Sequence, residues 1–295
     1  MSDLLTTDEA AEYLRLSERK LYELVANGAL PCTKITGRWI FPKTALDRWL
    51  ASGLVKPPGM KLSPRPPIVG GSHDPLLEWA LRDSVCGLAS LPEGSGAGLL
   101  RLSRGEVMMA AIHLHSLEGD DETANTDAVA EAQGLYDGVV IAFARREQGL
   151  TVASGNPMGL TDIRSVAETG ARLAQRPAGA GAQLLLLALI ARSGIAAKQL
   201  SSVNPVCPTG LDLAQAVRSG GADCGIASRS VANAAGLGFV PILWERFDLV
   251  LHQRDYFLPE PQALFEHIRK PIFRAKASEM EGYDVAKAGT VRFFN

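Results

Sequence analysis

Four short runs in this chain place small or hydroxylated residues just before an apolar helical pattern. They are Gly70-Gly71-Ser72-His73-Asp74 before Pro75, Gly94-Ser95-Gly96-Ala97-Gly98 before Leu99, Arg176-Pro177-Ala178-Gly179-Ala180-Gly181 before a long apolar helix, and Pro208-Thr209-Gly210 before Leu211. A helix that starts this way leaves backbone N–H groups without partners and presents the positive end of its dipole. Several such ends in one cleft bind a compact anion without a metal. Ser72 and Ser95 would add hydroxyl donors, Gly96, Gly179, Ala180 and Gly181 would let the backbone approach, and Thr209 marks the fourth start. A tetrahedral oxyanion without protons offers only acceptors, so a site built of donors selects it. Arg146 and Arg176 are the cations for such a cleft, unless each is consumed in a surface or inter-lobe ion pair. His73 and His113 each close a strand-like run; His73 is a ligand or a structural residue, and His113 is read as structural.

A second chemistry sits near the N-terminus, in Ser17 to Phe41. Ser17 is a helix N-cap, and Leu21, Leu24 and Val25 form one apolar face. Arg19, Lys20 and Tyr22 then leave the first turn on or beside the other face, and Gly28 ends the helix. Thr33-Lys34-Ile35 and Trp39-Ile40-Phe41 flank a turn at Thr36-Gly37-Arg38. A basic helix start beside a basic hairpin tip suits a DNA major groove and the neighbouring backbone, with Ser17, Arg19, Lys20, Tyr22, Lys34 and Arg38 as contacts. Before it, Thr6-x-x-Glu9 reads as a capping box for a helix to Leu14. After it, Pro42 opens a helix striped by Leu46, Trp49 and Leu50.

Bulk composition bounds the rest. The chain has 295 residues, 46% hydrophobic and 21% charged, with net charge −2, so no global field draws it to nucleic acid. Met1-Ser2-Asp3 leads into a polar helix rather than a signal peptide, and the longest apolar run, Leu184–Ile190, is too short to span a bilayer. These features fit a cytoplasmic protein. Cys32, Cys86, Cys207 and Cys224 are scattered, with no CxxC and no His/Cys cluster, which fits reduced core thiols. No metal-ligand spacing stands out. Ser95 is not in a G-x-S-x-G elbow, and Asp120, Asp121 and Glu122 read as an exposed acidic loop, so the expectation is a binding protein, not an enzyme.

The organisation that must position these groups is two domains and a spacer. Residues 1–52 form the small helical module. Residues 53–67 hold five prolines and three bases, Lys56, Lys61 and Arg65, and no acid; they form an extended spacer whose bases either touch phosphate or serve as a solubilising tether. Residues 68–295 alternate β-prone runs with helical patterns, the pattern of an α/β domain with mostly parallel strands. Strands are expected at Pro67–Val69, Val107–Leu114, Gly138–Ala144, Ala222–Ala227 and Phe239–Trp244. Helices are expected at Pro75–Asp83, Ala180–Arg192, Leu211–Val217 and Pro261–Ala275.

The order Leu-Thr…Glu-Ala-Ala…Leu…Ser…Gly…Pro…Gly-Arg…Phe across Leu5–Leu50 resembles the excisionase-type winged helix-turn-helix, a relative of the MerR family DNA-binding domain. The resemblance implies DNA binding, and tight binding by so small a module implies a homodimer or higher oligomer on paired half-sites. Residues 68–290 resemble the type II periplasmic-binding-protein fold, in the cytoplasmic branch related to molybdate-binding proteins. The residues carrying this are Gly70–Pro75, Gly94-Ser95-x-x-Gly98-Leu99, Arg104-Gly105-Glu106, Ala111–Leu114, Arg146–Leu150, Gly155-Asn156-Pro157, Gly179-Ala180-Gly181 and Ala222–Gly225. It implies two lobes, a hinge crossed twice and a ligand buried between the lobes, molybdate or tungstate, with no other cofactor. The expected function is a transcription regulator whose operator affinity follows an oxyanion. The alternatives are a regulator sensing a small organic ligand, and a molybdenum-cofactor enzyme or carrier with a targeting head.

Overall fold

A computed structural model describes residues 4–53, 64–115 and 122–294. The chain divides into two compact units, Met1–Pro64 and Arg65–Asn295. Of the expected spacer, residues 54–63, with Lys56 and Lys61, lie outside the described residues, as do Asp120 and Asp121. Arg65 is not a phosphate contact in waiting: its guanidinium is largely buried and ion-paired with Asp255 inside the second unit.

The first unit runs β1 (Leu4–Leu5), α1 (Thr7–Leu14), α2 (Glu18–Ala26), β2 (Thr33–Ile35), β3 (Arg38–Pro42) and α3 (Lys43–Ser52). The Glu9 carboxylate accepts the Thr6 N–H at 2.8 Å at the start of α1. Ser17 Oγ accepts the Lys20 N–H at the start of α2. That helix closes as the cap geometry requires: Gly28 has φ +63°, its N–H reaches Val25 O, and the Ala29 N–H reaches Leu24 O. Thr36 and Gly37 both have positive φ, so β2 and β3 join through a two-residue turn of the kind that matches strand twist. Arg38, expected as the last residue of the turn, therefore lies in β3 opposite Ile35. β1, which the sequence pattern did not indicate, pairs with β3. Ala10, Leu21, Leu30, Phe41 and Leu46 make the core, with Trp39 and Trp49 packed against it. Each fully buried Leu or Phe there contributes about 1.5–3 kcal/mol, which is how so short a segment closes.

The second unit runs β4 (Ile68–Gly71), α4 (Pro75–Asp83), β5 (Ala89–Pro92), α5 (Ser95–Ser103), β6 (Met109–Ile112), α6 (Ala124–Glu131) and β7 (Gly138–Val152). There follow α7 (Ile163–Thr169), β8 (Arg172–Ala174), α8 (Gly181–Ser193), β9 (Ser201–Val203), α9 (Gly210–Arg218), β10 (Cys224–Ser228), α10 (Arg229–Ala234) and β11 (Gly238–His252). It ends with α11 (Pro259–Ile268), α12 (Pro271–Met280), β12 (Tyr283–Asp284) and β13 (Val291–Phe294). The main sheet order is β5-β4-β6-β11-β7-β10-β8-β9.

Both flanks are parallel, but β6-β11-β7-β10 is antiparallel, so the sheet is mixed rather than mostly parallel. The reason is the length of β7 and β11. Each has 15 residues and runs through both lobes, whereas the sequence pattern ends them near Ala144 and Trp244. Their polar middles, Arg145 to Gln148 and Glu245-Arg246, read as strand ends, but they pair with each other across the ladder, Arg146 opposite Glu245. One core, with Leu76, Phe143, Phe247, Leu249 and Phe265, lies in the first lobe. Another, with Leu150, Leu173, Leu185 and Ile226, lies in the second. The expected late helix is two, since Pro271 cannot continue α11 and instead opens α12.

Candidate functional site

The cleft lies where the two long strands cross between the lobes. It is lined by Ser72, His73, His113, Arg146, Gln148, Arg176, Ala180, Ala182, Gly210, Ala227, Ser228 and Val231, around a narrow cavity of about 20 Å³. No lining side chain is Phe, Tyr or Trp. A wider cavity of about 210 Å³ opens elsewhere on β7 and β11, beside Arg145, Arg246, Asp284 and Lys287. There both arginines are already paired with Glu122, and none of the four helix starts reaches it, so the narrow cleft is the candidate site.

Each wall follows from local sequence. Asp74 caps α4, its Oδ1 accepting the Leu76 and Leu77 N–H groups at 2.9 and 3.0 Å, which fixes Ser72 and His73 just outside the helix start. α5 begins at Ser95 and packs so closely on β4 that a Cβ on Gly98 would lie 2.3 Å from Gly71 Cα. Ser95 Oγ sits between Ser72 Oγ at 2.8 Å and the His113 backbone, accepting its N–H and facing its O at 3.0 Å. A hydroxyl has one proton. Donated to His113 O, it leaves Ser72 to donate to Ser95; donated to Ser72, it leaves Ser72 free to donate into the cleft. The first amide hydrogen bonds at the start of α8 are those of Gln183 and Leu184 to Ala180 O, and the Gly181 and Ala182 N–H groups keep no partner among the described residues.

The two arginines differ. Arg146 is buried and paired with two carboxylates: Nε donates to Glu245 Oε1 at 2.5 Å and Nη1 to Asp74 Oδ2 at 2.8 Å, with the guanidinium over the Phe247 ring at 4.3 Å. Although burial works against its charge, Glu245 and Asp74 raise its pKa above the ordinary arginine value. Arg176 meets only main-chain oxygens, Nε to Cys207 O and Nη2 to Pro208 O, each at 2.9 Å. Burial, with the nearby Arg146 charge, lowers it to about 10 against the weaker pull of Asp212, so near neutral pH it is a cation, and no carboxylate among the described residues hydrogen-bonds to it.

The base of the cleft is a closed network. Glu245 takes Arg146 and Gln148 on Oε1, and His113 Nδ1 and His115 Nε2 on Oε2 at 3.1 and 2.7 Å. Burial by itself would raise Glu245, but His113 and Arg146 hold it well below the carboxylate range. Burial pushes His113 down to about 4, which leaves the imidazole neutral. Tyr283 OH donates to Asp74 Oδ2 at 2.9 Å, and burial, then Asp74, keep the phenol protonated. Gln148 Oε1 is buried and has no partner among the described residues, so the cleft contains one acceptor among its donors.

Of the expected ligand residues, Ser72, His73, Arg146, Arg176 and Ala180 line the cleft. Ser95 stands directly behind Ser72. The Gly96 N–H donates to Gly179 O at 3.3 Å, so these two residues close one lobe on the other instead of facing a ligand. Gly181 packs on His113. Thr209 is spent in a capping box with Asp212, and it is Gly210 beside it that lines the cleft. Gln148, Ser228, His115 and Glu245 were missed. The partners of Gln148, His115 and Glu245 lie 97 to 132 residues away in sequence, and no local spacing marks them, while Ser228 meets Ser230.

In the first unit, Arg19, Lys20, Tyr22, Lys34 and Arg38 are all exposed on α2 and the hairpin. Ser17 serves the cap. Lys20 pairs with Glu23 at 2.7 Å, and Lys34 lies over the Trp39 ring at 5.3 Å. Arg19 and Arg38 have no side-chain partner among the described residues.

A small winged helix-turn-helix unit and a two-lobed unit closing on a polar cleft define a DNA-binding domain joined to a ligand-binding domain. Residues 78–269 match the PBP superfamily domain, and the chain belongs to that family. Residues 4–53 match the helix-turn-helix domain. The chain is 22% identical to the protein YvgK of Bacillus subtilis (strain 168), over 97% of this chain and 96% of that one. The tungstate ABC transporter structure from Geobacter sulfurreducens superposes with a TM-score of 0.53 at 15% identity, over 72% of this chain and 97% of the other. A putative phosphate ABC transporter substrate-binding protein with bound phosphate, from Clostridium perfringens, gives 0.54 at 13% identity, over 72% and 96%. At such identities the likeness is one of fold. No helix among the described residues is long and apolar enough to cross a membrane.

Proposed function

We propose that this chain is a cytoplasmic transcription regulator that senses a small tetrahedral oxyanion, with tungstate and molybdate the first candidates, and that it binds this ligand without turning it over. The observation that carries the reading is Arg176: a half-buried guanidinium, facing a cleft with hydroxyl and amide donors, that is hydrogen-bonded to no carboxylate among the described residues. An anion supplies the missing charge, and the narrow cavity, lined by no Phe, Tyr or Trp, suits a compact inorganic ion over an organic one. Both structural relatives above are named for oxyanions, which agrees with this class. The exposed Arg19 and Arg38, on a winged helix-turn-helix, act on operator DNA as a homodimer.

For the ligand to regulate, it must bind one state of the protein preferentially, with a coupling of about 1–3 kcal/mol between cleft and operator. Calorimetric titration with tungstate, molybdate, sulfate and phosphate tests the ligand. Gel shifts on DNA from upstream of the gene, with and without the tightest of these, test the coupling. Saturable binding of one oxyanion together with a shifted operator affinity is the expected result. No heat with any of the four removes the oxyanion reading, and turnover of a substrate with unchanged DNA affinity removes the regulator.

A further inference from the structure

Behind the Ser95 side of the cleft, three buried side chains from separate parts of the chain meet at one point. His113 and His115 follow β6, Glu245 lies in β11, and one ligand atom from each falls within 4.8 Å of the others. Their side chains are 7, 0 and 2% exposed. The sequence shows no metal-ligand spacing here because H-x-H is common and its carboxylate comes from 130 residues away.

We propose that His113, His115 and Glu245 form a binding site for a divalent transition-metal ion of the class that favours imidazole with one carboxylate, such as Zn²⁺, Co²⁺ or Ni²⁺. Glu245 meets both imidazoles while its other side is held. Oε1 accepts from Arg146 and Gln148, Oε2 meets His115 Nε2 at 2.7 Å, and His113 Nδ1 stands 3.1 Å from each oxygen. Ligands bound at about 2.0–2.2 Å to one tetrahedral ion stand about 3.4 Å apart, so the Glu245–His115 contact must widen while the three ligand atoms, now within 4.8 Å of one another, stay close to the required spread. The charges also fit. Arg146 is shared by two carboxylates, Asp74 and Glu245, so the buried trio keeps one net negative charge that a cation would balance. The groups that orient the ligands are in place, Arg146 and Gln148 on the carboxylate and the Phe247 ring 6.0 Å from that of His113. His113 also lines the cleft, which supplies the entry path.

The test uses the tag-free full-length chain, stripped with a chelator and titrated with Co²⁺ and then Zn²⁺ in the absence of oxyanion. The expected result is one equivalent of Co²⁺ with a visible d–d band, displacement by Zn²⁺ and a rise in Tm with either ion. His115→Gln and His113→Gln, each checked for fold by circular dichroism, should weaken Co²⁺ binding more than about 10-fold, while His267→Gln should not. Absence of a d–d band and of any Tm shift in the wild-type chain would overturn the proposal, as would wild-type affinity in a folded His115→Gln chain. Should both glutamine variants fail to fold, the wild-type Co²⁺ spectrum and Tm shift decide alone. The proposal is independent of the oxyanion reading, since it is tested without one.

Discussion

Arg146 and Arg176 line the same cleft, yet only Arg146 meets carboxylates, Asp74 at 2.8 Å and Glu245 at 2.5 Å, while Arg176 meets two main-chain oxygens. The two should therefore respond to substitution in opposite ways. Arg146→Met strands two buried carboxylates, and breaking a buried pair costs about 3–5 kcal/mol, so it should lower stability steeply. Arg176→Gln removes a charge that burial already disfavours. It should keep the fold and lower oxyanion affinity by the worth of a charged hydrogen bond, about 1.5–3 kcal/mol, or roughly 10- to 150-fold. Thermal melts and calorimetry on both variants measure this. A stable Arg146→Met chain, or an Arg176→Gln chain that binds as before, would reverse the assignment.

Gln148 Oε1 decides among anions. A buried acceptor without a partner repels a fully deprotonated oxyanion but accepts the proton of hydrogen phosphate. Replacing Gln148 with Met should raise tungstate affinity and lower phosphate affinity, each by about 1 kcal/mol, or roughly fivefold. Competition between the two anions reads the ratio directly, and an unchanged ratio would show that Oε1 does not face the ligand.

Much of this site is legible before any coordinates. Asp74, Ser95, Gly181 and Gly210 mark helix starts through local rules, because a cap or a close backbone approach dictates the residue type within one turn. Burial of Leu21 and exposure of Arg19 follow from helical periodicity. What escapes is whatever depends on a partner distant in the chain. Arg145 to Gln148 looks like the end of a strand until Glu245 and Arg246 are set beside it in the ladder. Arg146 looks like a ligand cation until its carboxylates are known. Thr209 and Gly210 are equally plausible at a helix start, and only the Asp212 side chain decides that the hydroxyl turns to the cap.

His73 supplies a pH dependence. Burial lowers its pKa below the usual 6.5, against the opposing pull of Asp74 and Glu78 and together with the Arg146 and Arg176 charges. The imidazole is thus neutral at pH 7 and gains its proton only on acidification. In the free protein, stability tied to this group is present above pH 6.5 and falls as pH drops through the lowered value. An anion in the cleft favours the protonated form, so its affinity should rise over the same interval. Sulfate titrations between about pH 7.5 and 5.5 should show tighter binding at the acid end, lost in His73→Gln. A flat wild-type profile would place His73 outside the ligand's reach.

Gly181 tests how closely the lobes approach. A Cβ there would sit 2.0 Å from His113 O and 2.4 Å from its ring. Alanine at a helix position gains up to about 1 kcal/mol over glycine. Overpacking of a close interior contact costs about 1–3 kcal/mol, so the clash should win. Gly181→Ala is expected to lower Tm and weaken anion binding together, because α8 must retreat from β6. A rise in Tm would mean that α8 has room to move without loss.

The DNA surface can be separated from the cleft. Arg19 and Arg38 are exposed and carry no other ion pair among the described residues, whereas Ser17 and Lys20 are engaged in a cap and with Glu23. Arg19→Ala and Arg38→Ala should therefore leave Tm and oxyanion affinity unchanged and weaken operator binding. A phosphate contact and a base contact leave different traces. Losing a phosphate contact weakens all sequences alike and reduces the slope of log K against log salt by about 1. Losing a base contact costs about 1–3 kcal/mol on the operator and little on random DNA. Arg38, on the hairpin, is expected to show the first pattern, and Arg19, on α2, the second. Gel shifts at several salt concentrations on both kinds of DNA distinguish them, and normal binding by the double variant would remove α2 and the hairpin from the DNA interface.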